Sequence, residues 1–179
     1  MPRLFVAVEL PEAVKQALLT LQGGVKGARW QTPAQLHLSL RFIGEVDGAR
    51  ARDIDAALAA LRFSPFAAAS AGVGHFGKNG FERALWAGLD PEAPFIALHK
   101  KIDRLLSAAG LEAERRKYKP HVTLARFSGS PRPGEVESFL HRHGLWRGAA
   151  FTVGEVGLFL SELGRGGAHY AVVGRYPAS

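Results

Sequence analysis

The 179-residue sequence predicts an α+β fold of two similar lobes, each an antiparallel-rich sheet backed by helices, with a cleft between them. Three observations predict it. Strand-like and helix-like segments alternate along the chain, with no low-complexity tract or long linker between them. Prolines stand where helices should open, a position at which their missing N–H costs nothing. The order of segments in the first half then recurs in the second.

Arg3 to Leu10 (RLFVAVEL) reads as a buried strand. Pro11 opens a helix carrying Val14, Leu18 and Leu21 at helical spacing, ending near Gly23. Leu36 to Gly44 (LHLSLRFIG) alternates like a half-buried strand, and Asp47 to Leu61 is a helix with Ile54, Leu58 and Leu61 on one face. Phe66 to Phe76 is Ala- and Gly-rich and is expected as a strand. Arg83 to Asp90 is a strand, and Pro91 opens a helix whose apolar face is Phe95, Leu98, Ile102 and Leu105. His121 to Phe127 is a strand, Pro133 to His143 a helix, and Phe151 to Leu160 and His169 to Tyr176 two further strands.

The recurrence extends to residue identity. Pro11-Glu12-Ala13 reappears as Pro91-Glu92-Ala93, and Arg3 and Ala7 match Arg83 and Ala87. His37-Leu-Ser-Leu-Arg-Phe-Ile-Gly44 corresponds to His121-Val-Thr-Leu-Ala-Arg-Phe-Ser-Gly129. Val73-Gly74 and Phe76 match Val156-Gly157 and Phe159. Residues 1–179 therefore read as one bilobal domain with an internal duplication.

Composition bounds the function. A 47% hydrophobic fraction supplies a sizeable core, and the absence of cysteine excludes disulfides, thiolate zinc sites and a cysteine nucleophile. The stretch Leu4 to Val8 is too short for a signal segment and is closed by Glu9, and no apolar run is long enough for a membrane helix. A soluble, cytoplasmic, monomeric protein that does not engage membranes is expected. The net charge of +7 favours an anionic partner, of which nucleic acid is the commonest, although Arg-rich composition bias gives the same sign.

The two His-x-Ser/Thr strands carry the chemistry. Residues i and i+2 of a strand share a face, so His37 lies with Ser39 and His121 with Thr123, while Leu38, Leu40, Val122 and Leu124 are buried behind them. If the lobes are related by a pseudo-twofold axis, two imidazoles and two hydroxyls surround one small site. Such a set suits phosphoryl chemistry. One imidazole takes a proton from water, the other protonates a departing sugar oxygen, and the hydroxyls hold the non-bridging oxygens. Histidine serves both roles because its reference pKa is roughly 6.5. No metal or other cofactor is required. One such tetrapeptide alone would read as a satisfied core histidine; its repetition in both halves favours the functional reading.

The chain here resembles the 2H phosphoesterase superfamily, and within it the bacterial and archaeal RNA 2′,3′-cyclic phosphodiesterases, also called the 2′-5′ RNA ligase family. The resemblance rests on Phe5-Val-Ala-Val-Glu-Leu-Pro11, His37 to Gly44, Leu85-Trp-Ala-Gly88 and Lys119-Pro-His-Val-Thr-Leu-Ala-Arg126, and spans nearly the whole chain. It implies catalytic His37 and His121, phosphate-binding Ser39 and Thr123, a phosphate contact from Arg126, and RNA ending in a 2′,3′-cyclic phosphate as partner. It implies a 2′-phosphate product and reverse 2′-5′ ligation by the same site; His121 is assigned as base and His37 as acid. The first motif has Ser where Thr is common in the family.

Arg126 lies an odd number of residues from His121, so a regular strand would aim it away; it needs a twist, a bulge or an approach from the lip. Arg41 occupies a similar place in the first half. Arg115, Arg116, Lys117 and Tyr118 precede Pro120-His121 and supply the cations and aromatic of a single-strand groove, and read equally as a solvated loop. His75, His99, His141, His143 and His169 are expected to be non-catalytic, with His75 the better placed to line the cleft. Gly72 to Gly77 lacks the Lys-Ser/Thr of a phosphate-binding loop. Two alternatives stay open: a related phosphodiesterase for small cyclic nucleotides or 2′-5′ oligonucleotides, and a non-catalytic RNA-binding module.

Overall fold

The protein is described by a computed structural model covering residues 1–78 and 80–179. Its strands are β1 (Arg3–Val8), β2 (Ala28–Trp30), β3 (Leu38–Glu45), β4 (Phe66–Lys78), β5 (Phe81–Asp90), β6 (His121–Phe127), β7 (Phe151–Val153), β8 (Glu155–Gly164) and β9 (Gly167–Pro177). The helices are α1 (Glu12–Leu19), α2 (Gly48–Ala59), α3 (Ala93–Ala108) and α4 (Glu135–His143), with a 3₁₀ turn at Pro33–Gln35. No helix among the described residues is long and apolar enough to cross a membrane.

The strands form one curled antiparallel sheet in the order β7-β4-β5-β6-β3-β1-β8-β9, with β2 attached to β6. The centre of that order is the β3–β6 junction, where Leu38 pairs with Val122. Outward from it run β6-β5-β4 on one side and β3-β1-β8 on the other, so the two halves mirror one another in connectivity. The matched alanines are an exception. Ala7 pairs with Ser39 whereas Ala87 pairs with Val122, so they do not occupy corresponding ladder positions.

The helices cover one face of the sheet. Val14 and Leu18 of α1, Ile54 and Leu58 of α2, Phe95, Leu98, Ile102 and Leu106 of α3, and Val136 and Phe139 of α4 are buried. They join Val6, Val8, Leu38, Leu40, Leu85, Val122 and Leu124 in one apolar core. On α3 the fully buried position is Leu106 rather than the expected Leu105, which packs at the core margin. Asp47 caps α2, its carboxylate accepting from the Arg50 backbone N–H at 2.7 Å. A smaller cluster of Phe5, Ala7 and Phe159, flanked by Tyr170 and Val172, lies apart from the main core. This follows from alternation in β1: Leu4, Val6 and Val8 join the core, and Phe5 and Ala7 face the other way.

Two features depart from the expected elements. The segment Phe151 to Leu160 is two strands: β7 pairs with β4, and after Gly154 β8 pairs with β1. The strand β2 pairs with β6 and had no counterpart in the sequence reading.

Candidate active site

The Leu38–Val122 pair brings the two motifs together. Continuing that antiparallel ladder one residue each way sets His37 across from Thr123 and Ser39 across from His121. The four polar side chains thus share one face of the sheet, and the core leucines and valine share the other.

Each histidine is oriented by the same device. His37 Nδ1 lies 2.7 Å from the Gln35 carbonyl oxygen, and His121 Nδ1 lies 2.6 Å from that of Lys119. A carbonyl only accepts, so each Nδ1 carries the proton and donates it, leaving Nε2 as the nitrogen that titrates. His37 Nε2 is 3.0 Å from Ser39 Oγ. Aromatic rings fix the imidazoles laterally. Phe5 and Tyr170 pack on His37 with centroids 4.8 and 5.0 Å away, and Phe76 packs edge-on against His121 at 4.9 Å.

This environment disfavours the imidazolium in both cases. Burial drives His37 down to about 4; the Gln35 carbonyl opposes the shift, while the positive charges of Arg126, His121 and Lys15 reinforce it. His121 is also held below its ordinary value, first by burial, with the Lys119 carbonyl opposing and Arg126 and Lys119 reinforcing. Without ligand both imidazoles are neutral near pH 7. An anion between them would favour their protonated forms.

A cavity of about 580 Å³ opens beside this face. Ser39, His121, Thr123 and Arg126 line it, together with Arg116 and Lys117. His37 meets the cavity through Ser39, whose Oγ lies 3.0 Å from its Nε2. Arg126 reaches the site because β6 bulges. Trp86 pairs with Thr123 but Leu85 pairs with Ala125, so Leu124 is extra on β6, and Arg126 falls on the same face as Thr123. The bulge, rather than a lip approach, resolves the odd spacing.

The strand β3 has the same irregularity. Ala7 pairs with Ser39 and Val6 with Arg41, so Leu40 is extra, and Arg41 turns inward. Arg41 is only 8% exposed. Its Nε donates to Asp103 at 2.8 Å, and its Nη1 and Nη2 donate to the Phe42 and Glu112 carbonyls. Arg41 is therefore a structural residue. The ladder position corresponding to Arg126 is held by Phe42.

The segment 112–119 wraps this bulge. Tyr118 Oη donates to the Ser39 carbonyl at 2.9 Å, and His99 Nδ1 donates to the Leu40 carbonyl at 2.6 Å. The two rings stack at 4.3 Å. Burial pushes the Tyr118 hydroxyl above its ordinary range, so it stays a donor. Tyr118 thus braces Ser39, and its stacking face is occupied by His99. Tyr118→Phe keeps the stack and loses one hydrogen bond. A drop in kcat of roughly 3- to 10-fold with little change in KM is expected in steady-state assays. A wild-type kcat would show that the Ser39 carbonyl needs no brace.

The basic cluster divides. Arg116 and Lys117 are exposed and line the cavity, Arg116 with its Nε 3.8 Å from the Glu114 carboxylate, whereas Arg115 pairs with Glu112 at 2.8 Å and does not line it. Lys119 lines the cavity beside Glu92, its partner, with its ammonium 5.4 Å above the Trp86 ring. His75 pairs with Glu82 across the β4–β5 hairpin, and His141 and His143 end α4 as expected. Among the described residues no group of three or more His, Asp or Glu side chains is arranged to hold a metal ion.

The sequence profile of the 2′-5′ RNA ligase superfamily matches residues 10–165. The chain belongs to this superfamily. A protein of Methanothermobacter thermautotrophicus named RNA 2′,3′-cyclic phosphodiesterase is 29% identical, the match covering 94% of each chain. One of the same name from Geobacillus stearothermophilus is 30% identical over 68% of this chain, and the match spans 41% of that relative's length. A crystal structure of E. coli LigT complexed with 3′-AMP superposes with a TM-score of 0.80 at 22% identity, covering 100% of this chain and 99% of that one. That likeness bears on the fold, and it agrees with the α+β architecture and curled sheet of this superfamily member.

Proposed function

We propose that this protein opens a terminal 2′,3′-cyclic phosphate on RNA, leaving a 2′-phosphate and a free 3′-hydroxyl. The observation that carries the proposal is the pairing of two His-x-Ser/Thr strands at Leu38–Val122, with both Nδ1 atoms committed to backbone carbonyls. The relatives named RNA 2′,3′-cyclic phosphodiesterase support the same substrate class.

In this reading His121 Nε2 takes a proton from water as its oxygen bonds to phosphorus. The P–O3′ bond breaks, and His37 Nε2 protonates the leaving O3′. Ser39 and Thr123 donate to the non-bridging oxygens, and the Arg126 guanidinium offsets the charge that builds there. His37, with its depressed pKa, acquires its proton when the anionic phosphate is bound. With a 5′-hydroxyl in place of water, the same forward steps join the ends in a 2′-5′ linkage: O5′ bonds to phosphorus, the P–O3′ bond breaks, and O3′ leaves with the proton from His37. The mirrored strand order supports reading residues 1–179 as one domain with an internal duplication, and a monomeric cytoplasmic enzyme is part of the proposal.

The test is incubation of the purified protein with one RNA carrying either a 2′,3′-cyclic phosphate or a linear 3′-phosphate. Conversion of the cyclic end alone to a monoester is expected; an untouched cyclic end refutes the proposal. Activity should also persist in excess chelator, since the site offers no clustered ligands. Loss restored by one divalent ion would place the chemistry in another class.

Arg116 and Lys117 are assigned to the RNA path. For single strands log K falls with log salt by about 0.7 per phosphate contact. Arg116→Ala with Lys117→Ala should raise KM for oligonucleotides and reduce the salt slope by up to about 1.4. Cyclic mononucleotides, which present no further phosphate, should be little affected. Arg115→Ala should do less, because that residue is paired outside the cavity. Equal harm to both substrates would assign the pair to the reacting phosphate instead.

A further inference from the structure

We infer that Tyr170 is a further phosphate-binding residue, its phenol closing over the reacting group beside His37 and donating to a non-bridging oxygen. The inference rests on the reading of the polar face as a cyclic-phosphate centre. The fold carries Tyr170 there from a distance. β9 is the edge strand, separated from β3 by β1 and β8. The curl of the sheet brings it back, so that the Tyr170 ring meets His37 edge-on with centroids 5.0 Å apart. Phe5 lies 5.0 Å from the same ring and stacks on Phe159, which fills the space over Gly157. Gln35 locks the arrangement. Its carbonyl accepts from His37 Nδ1, and its side-chain amide donates at 3.1 Å to the carbonyl of Ala168, on the same strand as Tyr170. One residue thus holds both the imidazole and the strand that covers it.

The hydroxyl is what the packing leaves over. Of the three tyrosines, Tyr118 and Tyr176 commit theirs to the Ser39 carbonyl and the Asp55 carboxylate, and among the described residues that of Tyr170 has no partner. A half-buried phenol that packs by its ring and keeps a free O–H is ready to donate. The charge of Arg126, assigned to the phosphate, acts on both His37 and the Tyr170 hydroxyl, so that hydroxyl shares the neighbourhood of the acid and the cation. Burial pushes the hydroxyl above its ordinary range against the pull of Arg126, and it keeps its proton wherever the histidines work. The other half has no equivalent. Phe76 and Trp86 pack on His121 at 4.9 and 6.1 Å, and the indole N–H is buried, so neither ring presents a donor to the site. The third hydroxyl therefore belongs to the side assigned to the acid. It reads the phosphoryl group and neither a base nor a chain phosphate, and should serve mononucleotide and oligonucleotide ends alike.

The test separates hydroxyl from ring. Tyr170→Phe keeps the contacts with His37 and Phe5 and removes the donor; Tyr170→Leu removes both. On the scale of a hydrogen bond to a charged group, Tyr170→Phe should weaken the binding of inorganic phosphate by roughly 10- to 100-fold in calorimetric titration. It should lower kcat/KM by a similar factor for adenosine 2′,3′-cyclic phosphate and for an oligonucleotide with a cyclic-phosphate end, leaving the salt dependence of the latter unchanged. The pKa of His37, followed by NMR in free protein, should stay at about 4 in Tyr170→Phe and rise in Tyr170→Leu, which uncovers the imidazole. If wild type opens no cyclic phosphate, the proposed reaction fails while the phosphate titration still tests the contact. An unchanged phosphate affinity in Tyr170→Phe would overturn the inference, whatever Tyr170→Leu does. So would a loss in Tyr170→Phe accompanied by a shift in the His37 pKa, since the hydroxyl would then act through the imidazole.

Discussion

His37→Ala and His121→Ala are each expected to lower kcat/KM on a 2′,3′-cyclic phosphate by roughly 10²–10⁴-fold while the fold persists. Both rings pack at the margin of the smaller aromatic contacts rather than in the main core, so their loss should spare the helices and sheet. The two variants should differ in kind. A phosphodiester with a p-nitrophenyl leaving group needs no general acid, so His37→Ala should recover much of its loss there and His121→Ala should not. Equal recovery would reverse or abolish the assignment of acid and base. The pH dependence follows from the lowered pKa values of both imidazoles. In free enzyme the imidazolium becomes scarce as pH rises past His37's value of about 4. The maximum in kcat/KM should therefore lie below about 6.5, the ordinary histidine value. Bound phosphate raises both pKa values, so the kcat profile should lie at higher pH than that of kcat/KM. The limbs belong to the coupled pair. A kcat/KM that climbs steadily into the alkaline range would contradict a required imidazolium.

Arg41→Ala should be the most damaging substitution for stability near the site, by about 3–5 kcal/mol. It strips a part-buried carboxylate of its cation and frees two backbone carbonyls. For a chain of this length that is a fall in Tm on the order of 10 °C, measurable by calorimetry. Its pH dependence has a definite sign. Burial pushes the Asp103 carboxyl up, but hydrogen bonds from Arg41 and the Glu114 N–H outweigh it and hold it below the usual range. A carboxyl depressed in the folded state adds stability above its unfolded value of about 4. That contribution is lost as pH falls through the lower folded value. The gap between wild type and Arg41→Ala should therefore narrow under acid. A gap independent of pH would mean that packing, not the ion pair, carries the cost.

Much of the architecture was legible because two periodicities are clean. His37-Leu-Ser-Leu and His121-Val-Thr-Leu alternate strictly, and the apolar faces of α1, α2 and α4 recur at helical spacing. The bulges were the obstacle. On β6 the adjacent buried pair Leu124 and Ala125 breaks the alternation, and that break is a readable sign of an extra residue. On β3 the same event is hidden, because the residue after Leu40 is Arg41, polar by type yet buried. Sequence matching therefore equated Arg41 with Arg126, whereas the ladder equates Phe42 with it. Tyr118 was similarly opaque: nothing local shows that its hydroxyl meets Ser39, seventy-nine positions away in sequence. The strand β2 is three residues long, too short to carry a period.

The most direct test is a turnover in ¹⁸O-water of RNA ending in a 2′,3′-cyclic phosphate, followed by mass spectrometry of the end group. The expected product is a 2′-phosphomonoester carrying one water-derived oxygen, formed by wild type and lost in both His37→Ala and His121→Ala. A 3′-phosphate product, or a labelled 2′-phosphate formed at near wild-type rate by either variant, would contradict the two-histidine opening of the ring.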